Sequence, residues 1–355
     1  MNRSVLMVVV GLMSGCATLK SAAGGDLKGA AANAQKMAAA IAAANKQGDE
    51  DAKKCPKEDG IIPIQEEKEI GGSVVVGLTQ TAKASYFVEG NPDLPDISTK
   101  PSEVTFKAGG KNDLTTYVAK LGKTLASASS RPELPWVFAV LEHPDVNAFS
   151  APGGYVVVTT GLLARVKNEA QLAGILGHEI GHVVNRDTVK TYASVKHNIC
   201  VVAMKGAAFI KAGIGDSAPA EVRKYADLSG EFDKPVDGTA NPDSPLTKLI
   251  NTLTDGVIDF KQKFGSGKDA EFAADKAALE LMLSAGYEPT EFDSFLQIVE
   301  QSRQGFPNHP SNVDRLKALT ALRNGEYAPF LAGATNKPEL PENVKALIPA
   351  LPAGK

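Results

Sequence analysis

The stretch from Asn168 to Val183 constrains the fold of this 355-residue chain more than any other segment. Its large apolar residues recur at the spacing of a helix: Leu172, Ile175, Leu176, Ile180 and Val183. Asn168 and Gln171 form a capping box, which marks the start of a helix. The sequence therefore predicts a long helix that packs into or against a core.

Two histidines lie four residues apart inside this helix. His178 and His182 share one helix face, where both imidazoles can reach one ion. Glu179 lies beside that face, where it can take a proton from metal-bound water without being forced to ligate. Two solvent-facing histidines are the alternative, but the apolar neighbours indicate a buried or cleft-lining segment. The pattern favours a zinc site with Glu179 as general base.

A catalytic zinc site needs a third protein ligand and keeps its fourth position for water. Glu271 is the candidate, because it lies in a second predicted helix, residues 269–285, which Gly286 ends. Asp275 follows one turn later on the same face and could accept the N–H of a ligating imidazole. A solvated helix face would also explain a Glu/Asp pair, but the residues between them, 272–274, are apolar.

The rest of the sequence predicts an α+β fold that is mostly helical, with a small β-sheet beside the helix of the histidine motif. Helical spacing or a helix start marks four further segments: 64–80, 114–126 and those beginning at Thr290 and near Ser311. Two β-rich runs predict neighbouring strands: 136–141 and 155–159. The net charge of −3 and the lack of long Lys/Arg runs leave no basic surface for nucleic acid, so no nucleic-acid partner is expected.

The first 16 residues have the pattern of a bacterial lipoprotein signal. Arg3 precedes an apolar run, 5–13, that is too short to span a bilayer, and small residues stand directly before Cys16. Residues 1–15 are therefore predicted to be a signal peptide, and acylated Cys16 would anchor the chain to a membrane. No Asp follows Cys16, which by resemblance to lipoprotein sorting rules favours the outer membrane, on the periplasmic side of the cell envelope. Plain secretion, with Cys16 lost or free, is the alternative.

Composition divides the mature chain into a tether, a folded domain and a tail. Residues 16–60 are rich in small residues and poor in large apolar ones, so they are predicted to be an Ala-rich tether that buries no core. The folded domain is predicted over 61–325, and the Pro-rich residues 326–355 are predicted to form an extended or loosely packed tail.

Two further segments of the sequence bear on the surface and on the redox compartment. Residues 199–214 are apolar but carry two lysines, so they predict a surface or lid helix, and 216–245 predict a loop. Cys55 and Cys200 could pair in an oxidising compartment, and two unpaired thiols fit the sequence equally well.

The chain resembles the M48 family of zinc peptidases, a gluzincin family with prenyl-protein-type and bacterial envelope members. The resemblance covers about residues 61–320. Its motifs occur in the family's order: 147–155, 160–163, His178 to His182 with 185–187, Glu271 to Asp275, and His309 to Arg315.

This resemblance implies a zincin-like peptidase domain with one zinc ion per chain, held by His178, His182 and Glu271, and with Glu179 as the base. It also implies a proton-donor role for Asp275, although an ordinary Asp is ionised at neutral pH, so orienting a histidine ligand is its simpler role.

Three further features are assigned by the resemblance or its motifs. His309 and Arg315 are expected near the metal, where they would stabilise an oxyanion or regulate access. For His309, an ordinary loop histidine beside Pro310 is the alternative. The strand that begins at residues 153–155 is expected to offer an edge to an extended substrate.

The sequence thus predicts a zinc endopeptidase that cleaves unfolded or misfolded envelope proteins. Glu179 would assist the attack of zinc-bound water on a peptide carbonyl and return the proton to the leaving amine. The alternative is a lipid-anchored chaperone or assembly factor for outer-membrane proteins that uses a latent peptidase fold, for example with His309 in the open zinc position. A periplasmic zinc-binding protein is a third interpretation, but it would not need the carboxylate of Glu179.

Overall fold

The computed structural model describes residues 27–57, 62–82, 85–88, 106–108, 113–232, 234, 248–249, 251–253, 267–301 and 311–348. The predicted signal peptide, Cys16 and His309 lie outside these residues. In the described chain the helices are α1 (Leu27–Ala52), α2 (Ile64–Ala82), α3 (Asp113–Ser127), α4 (Thr160–Leu163), α5 (Glu169–Val184), α6 (Asp187–Lys211), α7 (Ala220–Arg223), α8 (Lys268–Ser284), α9 (Thr290–Gln301), α10 (Asn312–Asn324) and α11 (Glu342–Lys345). The strands are β1 (Ser85–Val88), β2 (Phe106–Ala108), β3 (Val137–Glu142), β4 (Ala148–Ala151) and β5 (Tyr155–Thr159).

The chain divides into two compact units. One contains residues 1–60 and 193–234, and the other contains residues 61–192 and 235–355. The second unit holds the sheet and the helix of the histidine motif, so the predicted α+β class with a mostly helical content is confirmed. Among the described helices, none is long and apolar enough to cross a membrane.

A mixed five-stranded sheet forms one layer of the second unit, in the order β2-β1-β3-β5-β4. The predicted neighbouring strands β3 and β5 pair in parallel, with Val137 opposite Tyr155 and Leu141 opposite Thr159. Because β5 lies between β3 and β4, both of its edges are paired, and the prediction that this strand offers an edge to substrate is wrong. Strand β4 forms that border of the described sheet.

Helix α5 lies between the sheet and α8 and is buried along most of its length. As the sequence predicts, Asn168 caps its start: the side-chain oxygen accepts the backbone N–H of Gln171 at 2.9 Å. The Gln171 side chain accepts the N–H of Lys167 at 2.9 Å, which completes the polar start of the helix. This start fixes where the two histidines fall relative to the sheet.

Helices α5 and α8 pack closely because glycines face α8. A Cβ on Gly177 would lie 3.1 Å from the Ala278 Cα, and one on Gly181 would lie 2.8 Å from the Ala274 Cα. Backbone therefore meets backbone along this contact. Helix α8 ends as predicted: Gly286 follows its cap with a φ of 77°, a conformation that suits glycine.

The described part of the predicted C-terminal tail, residues 326–348, packs against the main core, unlike the extended or loosely packed tail that the sequence predicts. Leu340 and Val344 are buried in the main core, because they supply apolar side chains between the prolines. The carbonyl of Pro338 also accepts the N–H of Glu169 at 2.9 Å, at the first turn of α5. Residues 326–348 thus help to cap the helix that carries the histidine motif.

The first unit shows more packing than a tether would. Helix α1 contributes Ala44 to a small core with Phe209 and Ala218, so the large side chain comes from α6. Cys55 and Cys200 form a disulfide across 145 residues of sequence, which confirms the pairing alternative. Residues 199–211 are helical as predicted, and the predicted loop after them contains short helical turns at residues 215–217, 220–223 and 226–228.

Candidate metal centre

The structure brings His178, His182 and Glu271 together in the second unit. One potential ligand atom from each lies within 4.8 Å of the others, and all three residues are buried. Nε2 of His178 lies 3.4 Å from Oε2 of Glu271, and Nε2 of His182 lies 3.3 Å from Oε1 of the same carboxylate. The three residues predicted to be metal ligands therefore converge on one point.

The position of each candidate ligand follows from the helix that carries it. The i, i+4 spacing in α5 places the two histidine rings on one face, with centroids 4.7 Å apart and planes nearly perpendicular. Glu271 lies in the first turn of α8, which the glycines of α5 bring close. Its side chain is fully buried, so it faces the histidines and not solvent.

The donor set fits a zinc ion. In a tetrahedral site with bonds of about 2.0–2.1 Å, neighbouring donor atoms are separated by about 3.3 Å. The two nitrogen-to-oxygen distances in this site are close to that value, and each runs to a different oxygen of the Glu271 carboxylate, so both oxygens face the histidine nitrogens. Two imidazole nitrogens and one carboxylate are also the ligand chemistry of catalytic zinc sites, in which a fourth position stays open for water.

Carboxylates on the far side of both histidine rings fix their orientation. Nδ1 of His178 lies 2.8 Å from Oδ1 of Asp275, and Nδ1 of His182 lies 3.2 Å from Oδ2 of Asp187. A ring that donates from Nδ1 to a carboxylate presents its Nε2 lone pair to a metal. Asp275 therefore lies where it would orient the candidate ligand His178.

The electrostatics of Asp275 favour the role of acceptor. Burial alone would raise its pKa, but the charge and hydrogen bonds of Arg315 outweigh burial and lower the pKa of Asp275 to about 2. Asp275 is thus ionised at neutral pH and has no proton to donate. Burial and Arg315 also oppose protonation of His178, yet hydrogen bonds to Asp275 and Glu271 raise its pKa to about 9. The pKa of His182 is raised in the same direction by Asp187 and Glu271 against the effect of burial.

Arg315 lies behind this arrangement and is 1% exposed. Its Nε donates to Oδ2 of Asp275 at 2.9 Å, and its Nη2 donates to Oδ1 at 2.6 Å. Its guanidinium also lies 5.8 Å from the centre of the Phe292 ring. These contacts hold Asp275 in place, which is a different task from the oxyanion or gating role that the sequence predicts. That role stays a prediction, and His309 lies outside the described residues.

Glu179 follows His178 on α5 and is 5% exposed. Both residues line a small cavity with room for about one water molecule. Arg315 contributes the other charged group, and the remaining lining is apolar: Ala148, Ile175, Phe292, Phe295 and Leu296. The predicted base therefore faces a narrow, mostly apolar space beside the histidines.

The sequence alone indicates no role for Asp187 or for an ion cluster in which Arg131 and Arg186 pair with the buried Glu67. Asp187 appeared only as part of a motif, because it lies beyond the end of α5 and outside the helical spacing of the histidines. Glu67 lies 119 residues before Arg186, so no local pattern connects them. A Glu in the first turn of a helix is ordinarily explained by the helix dipole.

Together, the buried His-His-Glu group, the adjacent carboxylate and the helix pair beside a small sheet are the features of a metallopeptidase fold. The profile of Peptidase family M48 matches residues 112–323. The chain belongs to this family.

The relatives that this chain matches include bacterial and mitochondrial proteins. It is 24% identical over 265 residues to the beta-barrel assembly-enhancing protease of Escherichia coli (strain K12), a match that covers 67% of this chain and 47% of that protein. It is 34% identical over 99 residues to the mitochondrial metalloendopeptidase OMA1 of Schizosaccharomyces pombe, covering 28% of this chain and 29% of the relative. A match to the bovine mitochondrial metalloendopeptidase OMA1 is 50% identical over 52 residues and covers 15% of this chain and 10% of the relative. The chain thus matches only about half the length of the bacterial relative.

Proposed function

We propose that this chain is a zinc-dependent endopeptidase that cleaves unfolded or misassembled proteins of the bacterial cell envelope. The observation that carries the proposal is the convergence of His178, His182 and Glu271 at ligand distances, with Glu179 next to them on the same helix. Membership of a peptidase family supports it, as do the names of the bacterial protease and mitochondrial metalloendopeptidase relatives.

The residues of the site would have two different roles in peptide hydrolysis, zinc binding and proton transfer. His178, His182 and Glu271 would hold the zinc ion, which when bound lowers the pKa of water and polarises a peptide carbonyl. Glu179 would accept the proton of the attacking water and deliver it to the nitrogen of the leaving peptide. Its burial beside the apolar cavity keeps bulk water away from that transfer.

The cavity also supports a peptide substrate with an apolar side chain near the scissile bond. The cavity has room for about one water molecule, so its five apolar lining residues would move apart to contact such a side chain while the peptide carbonyl faces the histidines. Unfolded proteins expose side chains of this kind, and folded ones bury them. The lining therefore favours unfolded over folded substrates.

Glu179→Gln tests the proposal directly, because it keeps the shape of the side chain and removes its basicity. The wild type should bind one zinc ion per chain and cleave a labelled unfolded protein. The variant should keep the zinc and lose at least about a thousandfold in turnover, within the range of losses seen for catalytic groups. Glu342→Gln is the matched control, because that carboxylate lies on the surface. Retained cleavage by Glu179→Gln would refute the role of the base.

A second candidate function is that of an assembly factor or chaperone for outer-membrane proteins. It is favoured by the name of the bacterial relative, which joins assembly to proteolysis. Under this hypothesis Glu179→Gln would still delay aggregation of an unfolded outer-membrane protein as well as the wild type does. Zinc binding without cleavage in the wild type would favour this candidate over the peptidase.

Anchoring through lipidated Cys16 would place the site on the periplasmic side of the outer membrane. The proposal rests on the signal-like pattern of residues 1–16. Labelling with a fatty-acid probe should mark the wild type and leave Cys16→Ser unlabelled. Equal labelling of the two proteins would contradict the proposal.

A further inference from the structure

The Glu67 cluster, formed by Glu67, Arg131 and Arg186, lies in the second unit outside the metal centre. The Glu67 side chain has no exposed surface, and its Oε1 accepts from Arg186 Nη2 at 2.8 Å. Arg131 Nη2 donates to both carboxylate oxygens, at 3.2 and 3.1 Å. A carboxylate buried this completely is costly unless charged partners hold it, and here two guanidinium groups do so.

The backbone that carries Glu67 is closely packed as well. Helix α2, which carries Glu67, packs against the turn between β4 and β5. A Cβ on Gly153 in that turn would lie 2.6 Å from the Lys68 Cα and 2.8 Å from the Glu67 carbonyl carbon. Gly153 has a φ of 78°, so this close approach depends on glycine. Glu67 is therefore a fixed point against which its two partners can be positioned.

Both arginines that bind Glu67 are also near the C-terminal end of α5. Nη1 of Arg131 lies 3.4 Å from the carbonyl oxygen of Val183, the residue directly after the ligand His182. Arg186 lies in the turn between α5 and α6, and its Nη2 also approaches the carbonyl of Ile62 at 3.4 Å. The cluster thus contacts the chain on the C-terminal side of His182 at two places.

The backbone of Arg186 is strained, and the contacts of its side chain stabilise this strained conformation. Its φ of 60° is in the left-handed region that residues with a Cβ seldom adopt, and among the described non-glycine residues it alone is positive. The next residue, Asp187, begins α6 and accepts from the His182 ring. The turn at Arg186 therefore decides where the Asp187 carboxylate lies relative to the ring.

We propose that Glu67 is a positioning residue for the metal centre. Through Arg186 it stabilises the left-handed turn that aims Asp187 at His182, and through Arg131 it steadies the end of α5. The proposal rests on the proposed zinc site, because its effect is on a zinc ligand. It adds a buried carboxylate without a metal-contacting role to the residues on which zinc affinity depends.

The test measures the zinc affinity and the visible absorption spectrum of the cobalt-substituted full-length chain, since cobalt bands report ligand geometry. Glu67→Gln should weaken zinc binding about tenfold or more, as loss of groups that orient ligands does, and should alter the cobalt bands. The matched control is Glu66→Gln. This neighbour on α2 accepts from Tyr192 Oη at 2.6 Å, and its substitution should leave both readouts unchanged. Wild-type affinity and spectrum in a folded Glu67→Gln protein would overturn the inference.

A pair of substitutions at Arg186 keeps the test decisive if Glu67→Gln does not fold. Arg186→Ala removes the guanidinium but keeps a Cβ, so the turn should relax and zinc binding should weaken at least tenfold. Arg186→Gly removes the same group but tolerates a φ of 60°, so its loss should be under about threefold. Equal zinc affinity in these two variants would overturn the route through the backbone. Absence of zinc binding in the wild type would instead refute the metal site itself.

Discussion

The close contact between α5 and α8 predicts that Gly181→Ala damages the metal centre without touching a ligand. The new Cβ would lie 2.8 Å from the Ala274 Cα, 2.9 Å from the Ala274 carbonyl oxygen and 3.1 Å from the Ala277 Cβ. Carbon atoms in contact are ordinarily separated by about 3.5–4.0 Å, so the two helices must separate by roughly 0.7 Å. Backbone takes most of this contact, so a change of side-chain rotamer does not relieve it.

This separation has a cost that the structure allows to be estimated. Overpacking a core costs about 1–3 kcal/mol, and a clash against backbone belongs near the upper value. Alanine is favoured over glycine in a helix by about 1 kcal/mol, which offsets part of that cost. The free energy of unfolding should therefore fall by about 2 kcal/mol, equivalent to a decrease in Tm of roughly 4–8 °C for a unit of this size.

The same displacement acts on Glu271, one turn before Ala274 on α8. It would lengthen nitrogen-to-oxygen distances that are now 3.3 and 3.4 Å towards about 4 Å, beyond the spacing of tetrahedral zinc donors. Zinc affinity should fall tenfold or more. Thermal unfolding of the metal-free chain and competition with a chelator measure the two effects separately.

Gly177→Ala provides the control for this prediction. Its Cβ would lie 3.1 Å from the Ala278 Cα, and its next contacts are at 3.4 Å, so a smaller adjustment accommodates it. Its losses of stability and zinc affinity should both be smaller than those of Gly181→Ala. If Gly181→Ala were as stable as the wild type and bound zinc equally, the close helix contact would not position Glu271.

Three further predictions concern the ligands, the buried ion pair and the disulfide. His178→Ala and Glu271→Ala should each purify without zinc, and elemental analysis that finds one zinc ion per chain would contradict the ligand assignment. Arg315→Met should lower the free energy of unfolding by about 3–5 kcal/mol, because it leaves the Asp275 carboxylate buried without its partner; a denaturant titration that shows less than 1 kcal/mol would refute this. Cys200→Ser removes the disulfide to Cys55, which joins residues 145 apart, and should make the residues around α1 cleavable by trypsin. An unchanged digestion pattern would show that packing alone holds this segment.

The parts of the site that were predictable from the sequence are those with a local pattern. His178 and His182 are joined by helical spacing, Asn168 and Gln171 by a capping box, and the end of α8 by Gly286. Each of these signals acts within a few residues, where helix geometry decides which atoms meet. Strands β3 and β5 were predictable for a similar reason, because each is a short local run of apolar and β-branched residues, whereas β4, which lies between them along the chain, was not predicted.

The rest depends on contacts between residues that are distant in sequence. Glu67 meets Arg131 after 64 residues and Arg186 after 119, and neither distance has a periodic signature. The packing of α1 and of the C-terminal segment was missed because small residues and prolines do not suggest a core. In each case a few side chains suffice when the partner surface supplies the bulk, as Phe209 does for Ala44.

The charges around the site can balance in two ways. Glu179, Glu271 and Asp275 are buried, Asp187 is nearly so, and Arg315 is a buried cation in contact with Asp275. Without a metal, the raised pKa values of His178 and His182 favour protonated rings, whose positive charge offsets the neighbouring carboxylates. A metal ion held by these rings would take the place of those protons, so metal binding would compete with protonation and weaken as the pH falls. The close contact between α5 and α8 and the carboxylates behind the two rings hold the candidate ligands in position in either case.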